Sequence, residues 1–430
     1  MIRPYPAFLL LNFPDEIIHA VAKTLNWTDL NFLLQTNHRL HTLLTPLLYD
    51  VLARDKDHML IWAAEKNRKT TLQLVIEKGA NIAFKDAEEK TALHLAAAHG
   101  YEEVLVLLID KGASVDDKDR EGYTPLLLAA KEGHEMIAKL LLERGADIFA
   151  RTTNLRTALH HAAEGNHEPV ARLLLEKGVD INARDSDNET ALHLAARYSH
   201  ALVAQLLLEN EIDTNARNTN NETALHLAVQ SAEEPVVKLL LDNGIDKNAR
   251  DYNNETALHL AIRNDQISAT ELLLENGIDV NARNKDNETA LHLAARHDQG
   301  PVARLLLEKG IDIHARNHQN ETVLHLAVYS GRGEMARLFL EKGADIDTLD
   351  REGMTPLQLA ATEACEPWLK ASPEGETNAP VIETEGGSAG GTDSCQQLQD
   401  TPLGGPETTV HNPLQEDATE IVEIVGGLSL

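Results

Sequence analysis

The sequence is poor in cysteine, with two in 430 residues, Cys365 and Cys395. They fall on either side of a change in composition near residue 373, so they build neither a disulfide framework nor a metal knuckle, and a reducing compartment is expected. Basic residues are also short, 39 Lys and Arg against 68 Asp and Glu, for a formal net charge of -29. Phosphate binding is driven by clustered cations, so nucleic acid and anionic membrane are excluded as general partners. Long apolar runs are missing as well. The stretch 8–11, FLLL, follows Arg3, but Asn12, Pro14 and Asp15 cut it short of the ~7 residues a secretory core requires. No other stretch reaches membrane length. The cytosol or nucleus is the expected location. Absent too are a phosphate-cradling glycine loop, a nucleophile elbow, an HExxH pair and a Cys-rich cluster. These absences lead us to expect a non-enzymatic chain with no cofactor and no metal.

What the sequence has is repetition. NETALHLAAR at 188–197 returns as NETALHLAVQ at 221, NETALHLAIR at 254, NETALHLAAR at 287 and NETVLHLAVY at 320. Taking the threonine as marker gives Thr91, Thr124, Thr157, Thr190, Thr223, Thr256, Thr289, Thr322 and Thr355, each 33 residues after the last, with a degenerate copy around His58. Each threonine reads as an N-cap, followed by alanine or by Pro125 and Pro356 in the first helical position. A second helix carries a Leu-Leu-Leu block, opens near Pro169, Pro235 and Pro367, and ends at a glycine such as Gly178. Helices of about ten residues are marginal alone, so their apolar positions must be covered by the neighbouring unit. A 33-residue period with this threonine-to-histidine phrase resembles the ankyrin-repeat family over residues 58–372. The resemblance implies an all-α solenoid of about ten helix-turn-helix units with hairpin loops, the first and last being degenerate caps.

The recurring polar residues read as parts of that frame. The sequons at Asn188, Asn221, Asn254, Asn287 and Asn320 stand where Gly122 and Gly353 stand in other units, and asparagine tolerates a left-handed backbone, so they read as hairpin residues rather than glycan acceptors. The histidines at 94, 160, 193, 226, 259, 292 and 325 recur one repeat apart. At roughly 10 Å between packed helices they cannot share a zinc ion whose ligands lie ~2 Å away. They read as bonded to the threonine hydroxyl and nearby backbone. Glu211 occupies the turn position that glycine fills in most units, which makes that turn an expected hinge or fraying point. The last unit, ending in EPWLKASP, reads as a shortened cap.

Residues 1–57 break the period. Pro14 opens a helix with Ile17, Ile18, Val21 and Leu25 at helical spacing, Thr28 caps a second with Leu30, Leu33 and Leu34, and Leu40 to Leu48 line a third. The Phe13-Pro14-Asp15-Glu16-Ile17 opening, the Asp29-Leu30 start and the leucine-rich close resemble a fungal F-box-like module, with Phe13 where that family has leucine. The resemblance implies docking on a Skp-type adaptor of a cullin-RING ubiquitin ligase through Leu11, Phe13, Pro14, Ile17, Ile18, Leu30, Leu33 and Leu34. The alternative is that these helices only cap the stack. From 373 to 430 the chain has eleven acidic and no basic residues, many Gly, Pro, Ser and Thr, and is expected to be disordered.

Function is expected on the face built from hairpin tips and inner-helix ends, where the ankyrin family binds proteins. Seven residues after each marker stand Ala98, Lys131, Glu164, Arg197, Gln230, Arg263, Arg296 and Tyr329, with Tyr198 and His297 beside them and Tyr252, Lys285 and His318 on hairpin tips. Arginine and tyrosine are enriched in binding hot spots, and the basic members suggest a stripe for an acidic target. The expected protein is an adaptor, monomeric outside its complex: the repeats hold a protein target and residues 1–57 engage the ligase adaptor. A plain scaffold is the other reading.

Overall fold

The structure, a computed structural model, describes residues 56–231 and 234–362, and these are organised as repeated pairs of short helices. The docking residues from Leu11 to Leu34, the end of the last repeat with Pro367, and the acidic tail lie outside the described residues. Among those described there are nineteen helices and no strand. The first pair is α1 (Lys56–Glu65) and α2 (Lys69–Glu77), followed by α3 (Ala92–Ala98) with α4 (Glu102–Asp110), and α5 (Pro125–Lys131) with α6 (Glu135–Glu143). Then come α7 (Ala158–Glu164) with α8 (Glu168–Glu176), α9 (Ala191–Arg197) with α10 (Ala201–Glu209), and α11 (Ala224–Gln230) with α12 (Glu234–Asp242). The series closes with α13 (Ala257–Arg263) and α14 (Ile267–Glu275), α15 (Ala290–Arg296) and α16 (Gly300–Glu308), α17 (Val323–Tyr329) and α18 (Gly333–Glu341), and α19 (Pro356–Thr362). Each inner helix packs on its outer partner and on the inner helix of the next repeat, so α9 touches α7, α10 and α11. All contacts of this kind are between neighbours, which makes the array a solenoid.

Burial explains why seven residues suffice for a helix. In α9 the residues Ala191, Leu192, His193, Leu194, Ala195 and Ala196 are all buried, leaving Arg197 as the one partly open position. The outer helix α10 buries a stripe of Val203, Ala204, Leu206 and Leu207. Alanines on the inner helices let adjacent helices approach closely, while each fully buried leucine contributes roughly 1.5–3 kcal/mol. That is ample to offset a costly helical nucleus, provided the next repeat is there to cover it.

Helix starts follow the expected cap chemistry, with a refinement. Thr190 has an extended backbone (φ -98°, ψ 170°) and forms a reciprocal capping box in which His193, three residues on, takes the place usually held by glutamate. The backbone N–H of Thr190 donates to His193 Nδ1 at 3.1 Å, so Nδ1 bears the lone pair and the ring proton sits on Nε2. That proton reaches the next repeat. His193 Nε2 donates to the Glu222 carbonyl at 3.2 Å, and His94, His160, His226, His259 and His325 make the same bridge to Tyr123, Glu189, Glu255, Glu288 and Met354. At His292 the cap half of the arrangement is kept. Where Leu127 replaces the histidine, the Thr124 hydroxyl accepts the Leu127 N–H alone.

The hairpin asparagines adopt the expected left-handed backbone, with φ of 60–62° at Asn188, Asn221, Asn254, Asn287 and Asn320. Their side chains do more than tolerate it. Asn188 Nδ2 donates to the Arg217 carbonyl at 2.8 Å, and Asn221, Asn254, Asn287 and Asn320 repeat the bond one unit further each time. A nitrogen used this way is not presented for glycan attachment.

Glu211 also sits in the left-handed region, at φ 61°, and the turn keeps its closing bond from the Ile212 N–H to Leu207. The side chain is therefore strained without breaking the turn. Glu211→Gly is expected to stabilise the stack by about 1 kcal/mol, read as a higher melting midpoint, and to slow amide exchange at 211–212 toward the rate at 244–245. An unchanged midpoint would show that the turn relaxes at no cost.

Candidate protein-binding face

Hairpin tips form one continuous edge. The Thr219 N–H donates to Asp187, Tyr252 to Asn220, Lys285 to Asn253 and His318 to Asp286, all at 2.8–3.1 Å, so each tip is tied to the one before. Side chains reinforce the edge: Arg184, Arg217, Arg250 and Arg283 each donate Nη1 to a carbonyl 33 residues ahead. Asn182, Asn215, Asn248 and Asn281 each accept the N–H of an aspartate in the following repeat through Oδ1. Sequence reasoning missed both rows. Their signal was the phrase Asn-Ala-Arg returning at 182, 215, 248 and 281.

The expected face residues fall along this edge and the helix ends beside it. Lys131, Arg197, Arg263, Arg296 and Tyr329 end α5, α9, α13, α15 and α17, while Tyr198 and His297 follow as C-caps. Tyr252, Lys285 and His318 stand on successive tips. Tyr252, Tyr329 and Tyr198 expose 62%, 56% and 46% of their surface, enough for each to lie against a partner. Partial burial, and after it the charges of Arg296 and Arg263, hold the His297 ring below the usual imidazole pKa.

The cations of this face are less available than the sequence suggests. Glu189, Glu255 and Glu288 are buried at 1%, 0% and 3% exposure, and each forms an ion pair with the arginine eight residues on, Arg197, Arg263 and Arg296. The Arg197 pair is two-pronged, with Nη1 on Glu189 Oε2 at 2.7 Å and Nη2 on Oε1. Gln230 meets Glu222 in the same geometry at 3.0 Å. In the fourth repeat the polarity is reversed: Arg156 takes the glutamate position and donates to Glu164 at 2.9 Å and to the buried Asp185 at 3.1 Å. Glu164 is held well below the usual carboxylate range, first by the His161 ring, whose Nδ1 lies 3.7 Å away and beyond hydrogen-bond reach, and then by Arg156, against the opposing effect of burial. Burial pushes the Glu255 carboxyl up, and one of its oxygens has no hydrogen-bond partner. The row is a set of balanced pairs rather than a bare basic stripe.

Among the described residues no cluster of His, Cys, Asp and Glu has the arrangement of a metal site, and no helix is long and apolar enough to cross a membrane. Two open surface grooves between outer helices, one lined by Arg304, Glu308, Arg337 and Glu341, are charged and shallow rather than enclosing.

Comparison with known proteins finds the same kind of repeat. Models of ankyrin repeats in groups of three copies match residues 19–119, 60–152, 113–185, 159–251 and 250–317, and a model of many copies matches 305–360. The chain belongs to the ankyrin-repeat family. Ankyrin repeats are protein–protein interaction modules, and the face just described is the surface this ankyrin stack offers. Curated relatives include ankyrin repeat domain-containing protein 49 of Mus musculus, 46% identical over 52 residues, and of Homo sapiens, 42% identical over 52 residues. These alignments cover 12% of this chain, and the chain spans 22% of the length of those relatives. The first family match begins at residue 19, inside the segment that resembles an F-box.

Proposed function

We propose that the protein is an adaptor whose ankyrin face holds a protein target while residues 1–57 engage a Skp-type subunit of a cullin-RING ubiquitin ligase. The observation that carries the target half is the edge of tied hairpins with exposed Tyr198, Tyr252 and Tyr329, a rigid surface on which aromatic side chains lose little freedom when they bind. The ligase half rests on the Phe13-Pro14-Asp15-Glu16-Ile17 opening and the leucine-rich sequence that follows it. The protein would supply proximity, and the ubiquitin chemistry would take place on other subunits. Work in the cytosol or nucleus fits that role.

Co-purification of the full chain with a Skp-type adaptor is expected, with loss of the adaptor when Pro14→Ala is combined with Ile17→Ala. Failure of the unmodified chain to retain any such adaptor would remove the ligase reading. A second reading has its own support: the ankyrin match that starts at residue 19 favours an N-terminal segment that belongs to the end of the stack. On that reading the protein is a scaffold. Deleting 1–57 would then destabilise the first repeats and leave target binding intact.

A further inference from the structure

Near-identical repeats provide an internal reference, and the fourth repeat departs from it at several positions. Where Asn182, Asn215, Asn248 and Asn281 accept a hydrogen bond from the next unit, the fourth repeat has Phe149, which accepts none and exposes 59% of its surface. Where Asn188 and its counterparts take a left-handed backbone, it has Leu155 at φ 59° with 47% exposed. Asparagine tolerates that conformation; a bulky leucine is strained by it.

The inner-helix row Leu128, Leu194, Leu227, Leu260, Leu293 and Leu326 is interrupted by His161. That ring is 2% exposed, and neither nitrogen has a hydrogen-bond partner. Its neighbours are the Tyr123 ring, 5.1 Å away between centroids, and Glu164 Oε2 at 3.7 Å from Nδ1. Each departure costs stability that the asparagine or leucine of a sister repeat would keep. Strained or unpartnered residues kept without a structural gain are grounds for a functional hypothesis.

Charge singles out the same place. Arg197, Arg263 and Arg296 are balanced by buried glutamates of their own repeats. Lys131 occupies the equivalent position in the third repeat, but there Tyr123 stands where the glutamate would be. The Lys131 ammonium lies 4.9 Å over the Tyr123 ring and 3.4 Å from its hydroxyl, and no carboxylate among the described residues is within ion-pair distance of it. The hairpin tips of the two repeats are tied by the bond from the Thr153 N–H to the Glu121 carbonyl.

We propose that the third and fourth repeats form the target-reading patch of the ankyrin face and take an acidic segment of a partner protein, its carboxylate on Lys131 and an adjacent apolar side chain against Leu155 on the neighbouring hairpin tip. The proposal rests on the protein-binding reading of the face and is independent of the ligase reading. An ammonium held on an aromatic ring is already partly desolvated, so a carboxylate supplies the charge balance that a glutamate supplies elsewhere in the row.

The test is to pan a randomised phage-displayed peptide library on the full chain and measure the enriched peptides against variants. Enrichment of Asp or Glu next to Leu, Ile or Phe is expected. Binding should fall about tenfold or more with Lys131→Glu, and with Leu155→Asn combined with His161→Leu, while Lys238→Glu on the outer helix α12 changes it little. Melting should show the Leu155→Asn, His161→Leu chain at least as stable as the parent, which separates lost recognition from lost fold. Absence of any enriched peptide, enriched peptides without acidic residues, or equal binding to the Lys131→Glu chain would overturn the proposal. A chain that gives the expected peptides and retains no Skp-type adaptor would lose the ligase reading and keep this patch.

Discussion

Lowering the pH from 7 toward 4 is expected to unfold the ankyrin stack in a steep transition. His160, His193, His259 and His292 are each held down to about 4, and His94, His226 and His325 are lowered as well, in every case chiefly by burial. A histidine whose pKa is lower folded than unfolded favours the fold while neutral. Its contribution is complete above the unfolded value near 6.5 and is lost as the pH falls toward the folded value. Each of the four deepest groups then contributes roughly 3 kcal/mol at neutral pH, on the order of 10 kcal/mol together, against a domain stability of about 5–15 kcal/mol.

Geometry makes the loss local and repeated. Protonating Nδ1 turns the acceptor of the threonine N–H into a donor, so the cap that starts the inner helix is broken in one repeat after another. Glu164, held well below the usual carboxylate range, adds a further loss only at lower pH, and Glu255, pushed up, works weakly in the opposite direction. Circular dichroism at 222 nm across the titration is the measurement. A helical signal unchanged from pH 7 to 4 would contradict the account. Replacing His160, His193, His259 and His292 by leucine, the residue at 127, should move the midpoint to lower pH.

Arg263→Ala is expected to destabilise the chain by about 2 kcal/mol at neutral pH, although the arginine is on the surface. Removing it takes the counter-charge from the buried Glu255, and an uncompensated buried charge costs about 3–5 kcal/mol. The partial exposure of Arg263 reduces that figure, because solvent already screens the pair. Adding Glu255→Gln to Arg263→Ala should restore most of the loss, since a neutral amide carries no charge to desolvate. Denaturant unfolding of parent, single and double variants reads both effects. A double variant no more stable than the single one would show that packing of the arginine stem, rather than the buried charge, sets the cost.

How the chain stacks was legible because its determinants recur within one phrase. Thr190 and His193 are three residues apart, the Asn188 backbone is a local property, and the 33-residue spacing announces the unit. The binding face was harder to read because its chemistry joins residues that the sequence keeps apart. Arg197, Arg263 and Arg296 look like free cations until the hairpin folds back and sets a glutamate eight residues earlier under each guanidinium. Glu189, Glu255 and Glu288 look like hairpin surface until the neighbouring repeats bury them. His161 reads as a second histidine beside His160, and its exception becomes visible only against the leucines of the other inner helices. Leu155 likewise is an ordinary apolar residue until its φ of 59° is known.

The central claim is that no repeat is stable by itself: each helix pair is held by burial against its neighbours and by the bonds that His193, Asn188 and Arg184 make into the following repeat. The most direct measurement is far-ultraviolet circular dichroism of one excised repeat, a peptide of residues 186–218, beside the full chain under the same conditions. The account predicts a coil spectrum for the peptide and a helical one for the chain. A peptide helical in water at the level of the intact repeat would contradict it.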